Sequence, residues 1–408
     1  MTIFFREKKF ITLYIVCTLL LALVAITFLA QPKKSEAGWY VTGGVWSQRK
    51  AITIQRSKVP STQTNFPVLV DITDSSLQAN AQSNGNDILF TSGDGTTKLS
   101  HEIELYTSAT GRLTAWVKVP TLSSTQDTVI YMYYGNASAA DQSNASAVWD
   151  SSFKGVWHLK DGTTLTANDS TSNANNGTLV NTPTATAGQV DGAANFVSGS
   201  SQNITVSAIS SLGSASTAVL SGWIKRTASS DVIAVGEDGG KGKRFSIRTA
   251  TGNINFYAEG TSGVDQFGTF ALNDTSWHHV VMVYDGTQST NATRLVGYVD
   301  GVVRTLSFTN GTIPATLFTA NTFYFGRSPG TFDYSNGSAD EVRLTTGATR
   351  SADWVTTEYN NQSATSTFYT LSGAQTSEPV KEKVRGGGTI TNSNVKIRGS
   401  GTGSVKFR

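Results

Sequence analysis

The stretch Trp277-His-His-Val-Val-Met-Val-Tyr-Asp-Gly286, followed after a polar loop by Leu295-Val-Gly-Tyr-Val-Asp-Gly301, decides the fold of this chain. It reads as two strands. Side chains alternate along a strand, so Trp277, His279, Val281 and Val283 share one face while His278, Val280, Met282 and Tyr284 share the other. Both faces are largely apolar. That pattern suits a strand in the middle of a sheet packed on both sides, or a sandwich strand whose outer face is covered or binds something. Asp-Gly pairs at 285–286 and 300–301 end the strands as turns.

Working outward, 408 residues exceed one ordinary core and suit two domains with additional segments. Ser, Thr, Asn and Gly are abundant, and helix-period apolar runs are missing after residue 37, so an all-β chain is expected. The net charge of +3 is unevenly placed. The first 37 residues hold five basic and two acidic side chains, and residues 379–408 hold seven and one. The body between them, with 20 basic against 26 acidic, is net −6. An acidic body argues against nucleic acid as a partner. The one cysteine, Cys17, lies in the N-terminal apolar run, so disulfides and thiol chemistry are not expected in an exported portion. Tyr14-Ile-Val16 before it is a poor match to a lipoprotein signal.

Arg6, Lys8 and Lys9 precede an uncharged apolar run at 10–30, which predicts export. Ser35 and Ala37 form a small-x-small cleavage site before Gly38, so residues 1–37 read either as a cleaved signal peptide or as a retained anchor crossing the membrane at 10–30. The expected location is extracellular, at the cell surface.

Residues 46–136 carry six short apolar or alternating runs, at 51–54, 66–72, 87–91, 101–106, 113–119 and 128–134, separated by turn-forming clusters such as Ser83-Asn-Gly-Asn86. This is β-sandwich spacing. Arg49 with Ile52-Thr-Ile54, Asn65-Phe-Pro-Val-Leu-Val70, Asn86-Asp-Ile-Leu-Phe90, Leu99-Ser-His-Glu-Ile-Glu104, Ala115-Trp-Val-Lys-Val-Pro120 and Asp127-Thr-Val-Ile-Tyr-Met-Tyr-Tyr-Gly-Asn136 resemble, almost motif by motif, the bacterial family called domain of unknown function 2341. The resemblance implies an extracellular β-rich module often placed beside a lectin-like domain, and no activity.

The small, polar segment 137–147 reads as a linker. A second domain is expected over 148–373, with strands at 156–159, 193–196, 203–206, 220–225, 244–248, 322–327 and 339–344 besides the Trp277 pair, and a short amphipathic helix near Ser351 to Tyr359. The Asp169–Thr178 loop, Gly222-Trp-Ile-Lys225, the Trp277 stretch, Tyr298-Val-Asp-Gly301, Phe323-Tyr-Phe-Gly-Arg327, and Asp340-Glu-Val-Arg-Leu344 followed by Arg350-Ser-Ala-Asp-Trp354 resemble, in that order, the laminin G-like, concanavalin A-like jelly rolls of bacterial surface proteins. The resemblance implies two antiparallel sheets with the first and last strands adjacent. Residues 374–408 form a basic Gly/Ser/Thr/Asn-rich tail with a degenerate repeat at 383–386, 396–399 and 406–408, read either as a flexible tail or as a row of short strands.

Glycoside hydrolysis needs two carboxyls across the scissile bond. Glu102 and Glu104 alternate correctly to share a strand face, but a solvated face in the wrong domain is the expected reading. Asp340 and Glu341 are adjacent and should point to opposite faces. Of the four histidines, His101, His158, His278 and His279, the adjacent pair splits across the sheet and cannot easily hold one ion. Calcium is the one credible cofactor by this reading. The resemblance places a structural ion where the terminal strands meet, near Asp340, with Asp169 and Asn173 as loop contributors, although the latter two also suit plain turns. For carbohydrate the candidates near loops are Tyr257, Phe267, Tyr324, Arg327 and Tyr334, any of which could instead be core. Trp157, Trp223 and Trp277 are assigned to packing. Asn-x-Thr triplets such as 176–178 and 310–312 are read as composition.

Together these features predict an all-β exported surface protein of two β-sandwich domains, the second a concanavalin A-like jelly roll, non-catalytic and binding glycan or another surface ligand. A structural stalk, and a glycoside hydrolase with a non-standard site, are the alternatives.

Overall fold

The computed structural model describes residues 37–391 except 161–164, 261–262, 319–320, 329–332, 378–380 and 385–387. The expected signal or anchor at 10–30 and the last two basic repeats lie outside these residues. No helix among the described residues is long and apolar enough to cross a membrane.

The first sandwich pairs two antiparallel sheets. One holds β1 (Gln48–Ile54), β3 (Leu89–Ser92), β4 (Lys98–Leu99) and β7 (Thr128–Tyr134), and the other holds β2 (Gln63–Thr73), β5 (His101–Thr107) and β6 (Arg112–Leu122). All six expected runs are strands. Their inward side chains, among them Ile52, Phe66, Val68, Phe90, Val117 and Met132, bury a shared core.

The second sandwich has two eight-stranded sheets. The inner sheet runs β10 (Thr184–Ala187), β11 (Gly192–Phe196), β25 (Gly337–Thr346), β13 (Thr217–Arg226), β18 (His278–Asp285), β19 (Leu295–Val299) and β20 (Val302–Arg304), with β8 (Phe153–Trp157) also on β25. The second sheet runs β21 (Ser307–Asn310), β17 (Phe267–Ala271), β16 (Asn253–Ala258), β15 (Arg244–Ala250), β14 (Ala234–Asp238), β22 (Phe323–Phe325), β12 (Asn203–Val206) and β9 (Thr178–Val180). The first and last strands are adjacent, as the jelly-roll resemblance implies, through Val342 opposite Trp157.

Strand β18 sits between β13 and β19. Val280, Met282 and Tyr284 enter the main core, while Val281 and Val283 pack with Val219 and Tyr298 on the other face. Both faces are therefore buried, as the alternation requires. Asp300 and Gly301 both have positive φ, and Val299 pairs with Val302, which is the two-residue turn that matches strand twist.

What covers the outer face of the inner sheet is a helix, α1 (Ala352–Ser363), capped by the Ser351 hydroxyl accepting from Trp354 N–H. It extends beyond the Ser351–Tyr359 expectation because residues 360–363 are also packed. Val355 joins the Val281 cluster, Trp223 Nε1 donates to Gln362, and Asn361 both accepts from Leu69 N–H and donates to Leu69 C=O, occupying the edge of β2.

Two domain limits drawn from sequence differ from the pairing. β26 (Tyr369–Leu371) pairs with β1 in the first sandwich, as does β27 (Gln375–Thr376), so the expected second domain ending at 373 returns to the first. The 137–147 linker is also held down, by Gln142 N–H to Asn86 C=O and Asn144 N–H to His101 C=O. Turn-rich composition signals a connection but says nothing about what it packs on. In the tail, Lys381–Val384 pairs with Gly388–Thr391 as a small hairpin.

Candidate functional site

Two places gather chemistry. The first is the seam between the sandwiches. β5 contributes Glu102 and Glu104 through a register shift between Ile103 and Leu105, and β25 contributes Asp340 and Glu341 through another between its partners Ser221 and Trp223. Each shift is a β-bulge, which re-aims a side chain by inserting one unpaired residue. Glu341 has φ of +50°, and it reaches His158 and Arg343. This overturns the expectation that Asp340 and Glu341 face opposite ways, because strict alternation fails at a bulge.

Glu102 and Glu104 are buried, at 9% and 3% exposure, and do not form a solvated face. Their burial comes from the second sandwich, which closes over β5. His158 Nδ1 lies 2.7 Å from Glu341 Oε1 and 3.5 Å from Glu104 Oε2, and its Nε2 lies 3.3 Å from Glu102 Oε2. Trp116 Nε1 donates to Glu104 Oε2 at 2.9 Å, while Trp149 Nε1 and Ser170 Oγ donate to Glu102 at 2.9 and 2.6 Å. Arg343 donates to Glu341 at 2.8 Å and to Glu358 of α1 at 2.6 Å, beneath the Trp116 ring at 4.3 Å.

The electrostatics follow from burial. Desolvation pushes Glu104 up to about 8 against the pull of His158, whereas for Glu102 the His158 charge and its three hydrogen-bond donors outweigh desolvation and bring it to about 2. Burial pulls the His158 imidazole down, but Glu341, Glu104 and Glu102 together raise it well above the ordinary histidine value. Burial and the Glu341 charge raise Asp340.

The second place is the face of the second sheet that points away from the core. Here Thr205, Tyr324, Gly236, Ser246, Tyr257 and Phe267 form one register row across β12, β22, β14, β15, β16 and β17. Three of the sequence candidates thus share a face. Tyr324 and Tyr257 lie three strand spacings apart, about 14 Å at the usual ~4.8 Å. Gly236 between them has φ of +133°, and a Cβ there would meet Phe245 O at 2.4 Å, so only glycine fits. A small hairpin of β23 (Arg327–Ser328) and β24 (Asp333–Tyr334) lies against this face, tied by Ser328 Oγ to Asp238 and by the Arg248–Asp333 ion pair.

The candidates then separate. Tyr257 is 4% exposed, packed by Phe267 at 4.8 Å and by the Arg244 guanidinium at 4.2 Å, and Arg244 is itself paired with Glu259 and Asp265. Tyr324 and Tyr334 are half-buried, and the Arg327 guanidinium lies 5.4 Å from each ring. Arg327 has no carboxylate or hydrogen-bond partner among the described residues, and its Nε is buried unpartnered.

The residues singled out for calcium serve separate segments. Asp169 accepts from the N–H groups of Val156, Thr171 and Asn175 and from the Thr171 hydroxyl, with exposed Asn173 bonded to the same Thr171. Asp340 Oδ2 accepts from Gln189 and Val190 N–H. The remaining histidines are dispersed. His101 is buried against Phe90, His279 against Trp223, and half-buried His278 bridges Asp274 and Asp300 at 2.8 Å each. Trp157 is core, Trp223 packs under α1, and Trp277 is half-buried.

Residues 84–173 match the family model of a domain of unknown function (DUF2341), and residues 198–356 match that of the concanavalin A-like lectin/glucanases superfamily, in the order the motifs indicate. The first match spans the seam, since it includes Glu102, Glu104, Trp149 and His158. No curated protein sequence matches the chain. Among solved structures it is similar to the binding domain of botulinum neurotoxin DC in complex with rat synaptotagmin II (11% identity, TM-score 0.39, 52% of each chain). It is also similar to domain 4 of an extracellular arabinanase from Geobacillus stearothermophilus in complex with arabinotriose (16% identity, TM-score 0.35, 50% of this chain and 96% of that one). A third is the binding domain of Paraclostridial Mosquitocidal Protein 1 (11% identity, TM-score 0.38, 51% and 52%). The chain thus spans about half the length of the toxin domains, and these likenesses concern fold alone.

Proposed function

We propose that this chain, in which a domain of unknown function (DUF2341) is joined to a concanavalin A-like domain, is an exported cell-surface protein that binds glycan on the outer face of its second sheet. The observation that carries this reading is Arg327 held between Tyr324 and Tyr334 without an acidic partner among the described residues. Tyrosine rings stack on the apolar faces of sugars, and an unpaired guanidinium prefers a carboxylate or sulfate, so an acidic glycan is the favoured ligand.

The reading takes the site as non-catalytic because the acid pairs that could cleave a glycosidic bond, Glu102 with Glu104 and Asp340 with Glu341, are buried in the seam, where a polymer has no access. Export rests on the basic and apolar pattern of residues 6–30.

Binding of the full chain to an array of neutral and acidic glycans, with and without chelator, tests the proposal. Acidic glycans should bind, and Tyr324→Ala and Arg327→Gln should each abolish most of the signal. Binding that survives both substitutions moves the site elsewhere, and no binding to any glycan favours a structural stalk. Release of reducing sugar from a polysaccharide would overturn the non-catalytic reading.

A further inference from the structure

The seam has an excess of buried negative charge. Glu102, Glu104, Asp340, Glu341 and Glu358 are all buried there, against Arg343, at most one charge from His158, and Arg350 acting on Glu358. Isolated buried carboxylates are costly, and proteins neutralise them with protons, basic side chains or metal ions. Among the buried polar atoms of this cluster without a hydrogen-bond partner are two carboxylate oxygens, Glu104 Oε1 and Asp340 Oδ1, and on the basic side Arg343 Nε.

The orientation of the groups narrows the choice. One ligand atom each from Glu104, His158 and Glu341 lies within 4.8 Å of the other two. The His158 ring directs Nδ1 toward Glu104 and Glu341 and Nε2 toward Glu102 Oε2 at 3.3 Å. A histidine that binds a metal through one nitrogen commonly gives its other N–H to a carboxylate, which fixes the ring. Glu102 is in turn fixed by Trp149 and Ser170, and Trp116 holds Glu104 Oε2, leaving Oε1 available. Arg343 likewise holds Glu341 Oε2, leaving Oε1 toward the histidine. Each candidate ligand thus has its own supporting donor or acceptor.

We propose that Glu104, His158 and Glu341 bind a divalent first-row metal ion, of the manganese to zinc series, that joins the two sandwiches. One imidazole with carboxylate oxygens and no thiolate suits that series. Asp340 Oδ1, unpartnered on the same bulge, is in this proposal the acceptor of a water bound to the ion. The ligands come from β5 on one side and from β25 and the end of β8 on the other, so the ion binds only when the sandwiches are together. Its enclosure by Trp116 and Trp149 means that it enters during folding and leaves slowly. This site does not depend on the glycan proposal.

The test is the metal content of the full chain, purified without a histidine tag and refolded in parallel with Zn²⁺, Mn²⁺ or Co²⁺. Plasma mass spectrometry after exhaustive dialysis should find one equivalent of one of these metals. Glu104→Gln should lose it with the far-ultraviolet spectrum intact, and His278→Gln, which alters the other histidine flanked by acids, should keep it. If Glu104→Gln does not fold, X-ray absorption on the wild type decides: one imidazole in a mainly oxygen shell supports the site, and an all-oxygen or multi-imidazole shell overturns it. A folded wild type that takes up none of the three metals also overturns it, and would leave the seam as an imidazolium and shared protons.

Discussion

The two outer faces of the second sandwich make a natural comparison. The inner sheet and the second sheet share one core, and each places polar and aromatic side chains on its far side. On the inner sheet that side is covered by α1 and the first sandwich, so Arg343, His158, Glu341 and Trp223 are all sealed with partners. On the second sheet Tyr324, Arg327 and Tyr334 remain half-buried. The same residue types therefore hold domains together in one place and stay partly exposed in the other. Coverage, more than composition, separates the two roles.

The comparison can be broken most directly at Arg343. Its replacement by Met strands Glu341 and Glu358 in the seam, and loss of one partner of a buried pair costs about 3–5 kcal/mol. Urea unfolding should show a loss of that order. A change under about 1 kcal/mol would mean that the seam is not the tight junction described.

A buried acid away from both faces supplies the next test. Glu237 points into the second sandwich, where burial pushes it up to about 8, only partly offset by the backbone N–H groups of Asn321 and Ile209. Neither of its oxygens has a well-formed hydrogen bond. In the unfolded chain it ionises near its ordinary 4.5. Between these values the folded state retains a proton that the unfolded state has lost, so stability falls as pH rises through the window and levels off above about 8. The contribution from pH 6 to 8 is about 2 kcal/mol, and Glu237→Gln should flatten that part of the denaturation profile.

On the half-open face, Tyr324→Ala should weaken glycan binding about 10-fold with little change in melting temperature. A large stability loss without a binding change would make Tyr324 a packing residue like Tyr257. The smallest effect belongs to His278, whose bonds to Asp300 and Asp274 raise its pKa. The stabilisation is complete below the unfolded value near 6.5 and is lost as pH rises through the higher folded value. Because the site is only half-buried, His278→Gln should cost at most about 0.5 kcal/mol at pH 6 and less at pH 9.

The sandwich strands were legible because period-two alternation survives wherever a strand is regular. β7 matches the expected limits, and β18 presents Val280, Met282 and Tyr284 to the core as its pattern requires. Short strands such as β9 and β20 were missed, having too few residues for a period to register. Of the seam, His158 beside Glu341 follows from first and last strands being adjacent, yet the bulges that turn Glu104 and Glu341 toward it leave no mark in alternation. On the other face, Tyr257, Phe267 and Tyr324 were named separately as aromatics near loops, and only strand register put them in one row.

By itself the sequence determined the class of fold, the order of the two domains and most strands, since these depend on local period, turn chemistry and motifs read along the chain. Tertiary structure alone decided that β26 returns to the first sandwich and that Glu102 and Glu104 are buried. The partners that cover Glu102, Trp149 and His158, and the β1–β26 pairing join residues about 50 to 300 positions apart. No local pattern carries that information, so these features follow only once the sheets have closed.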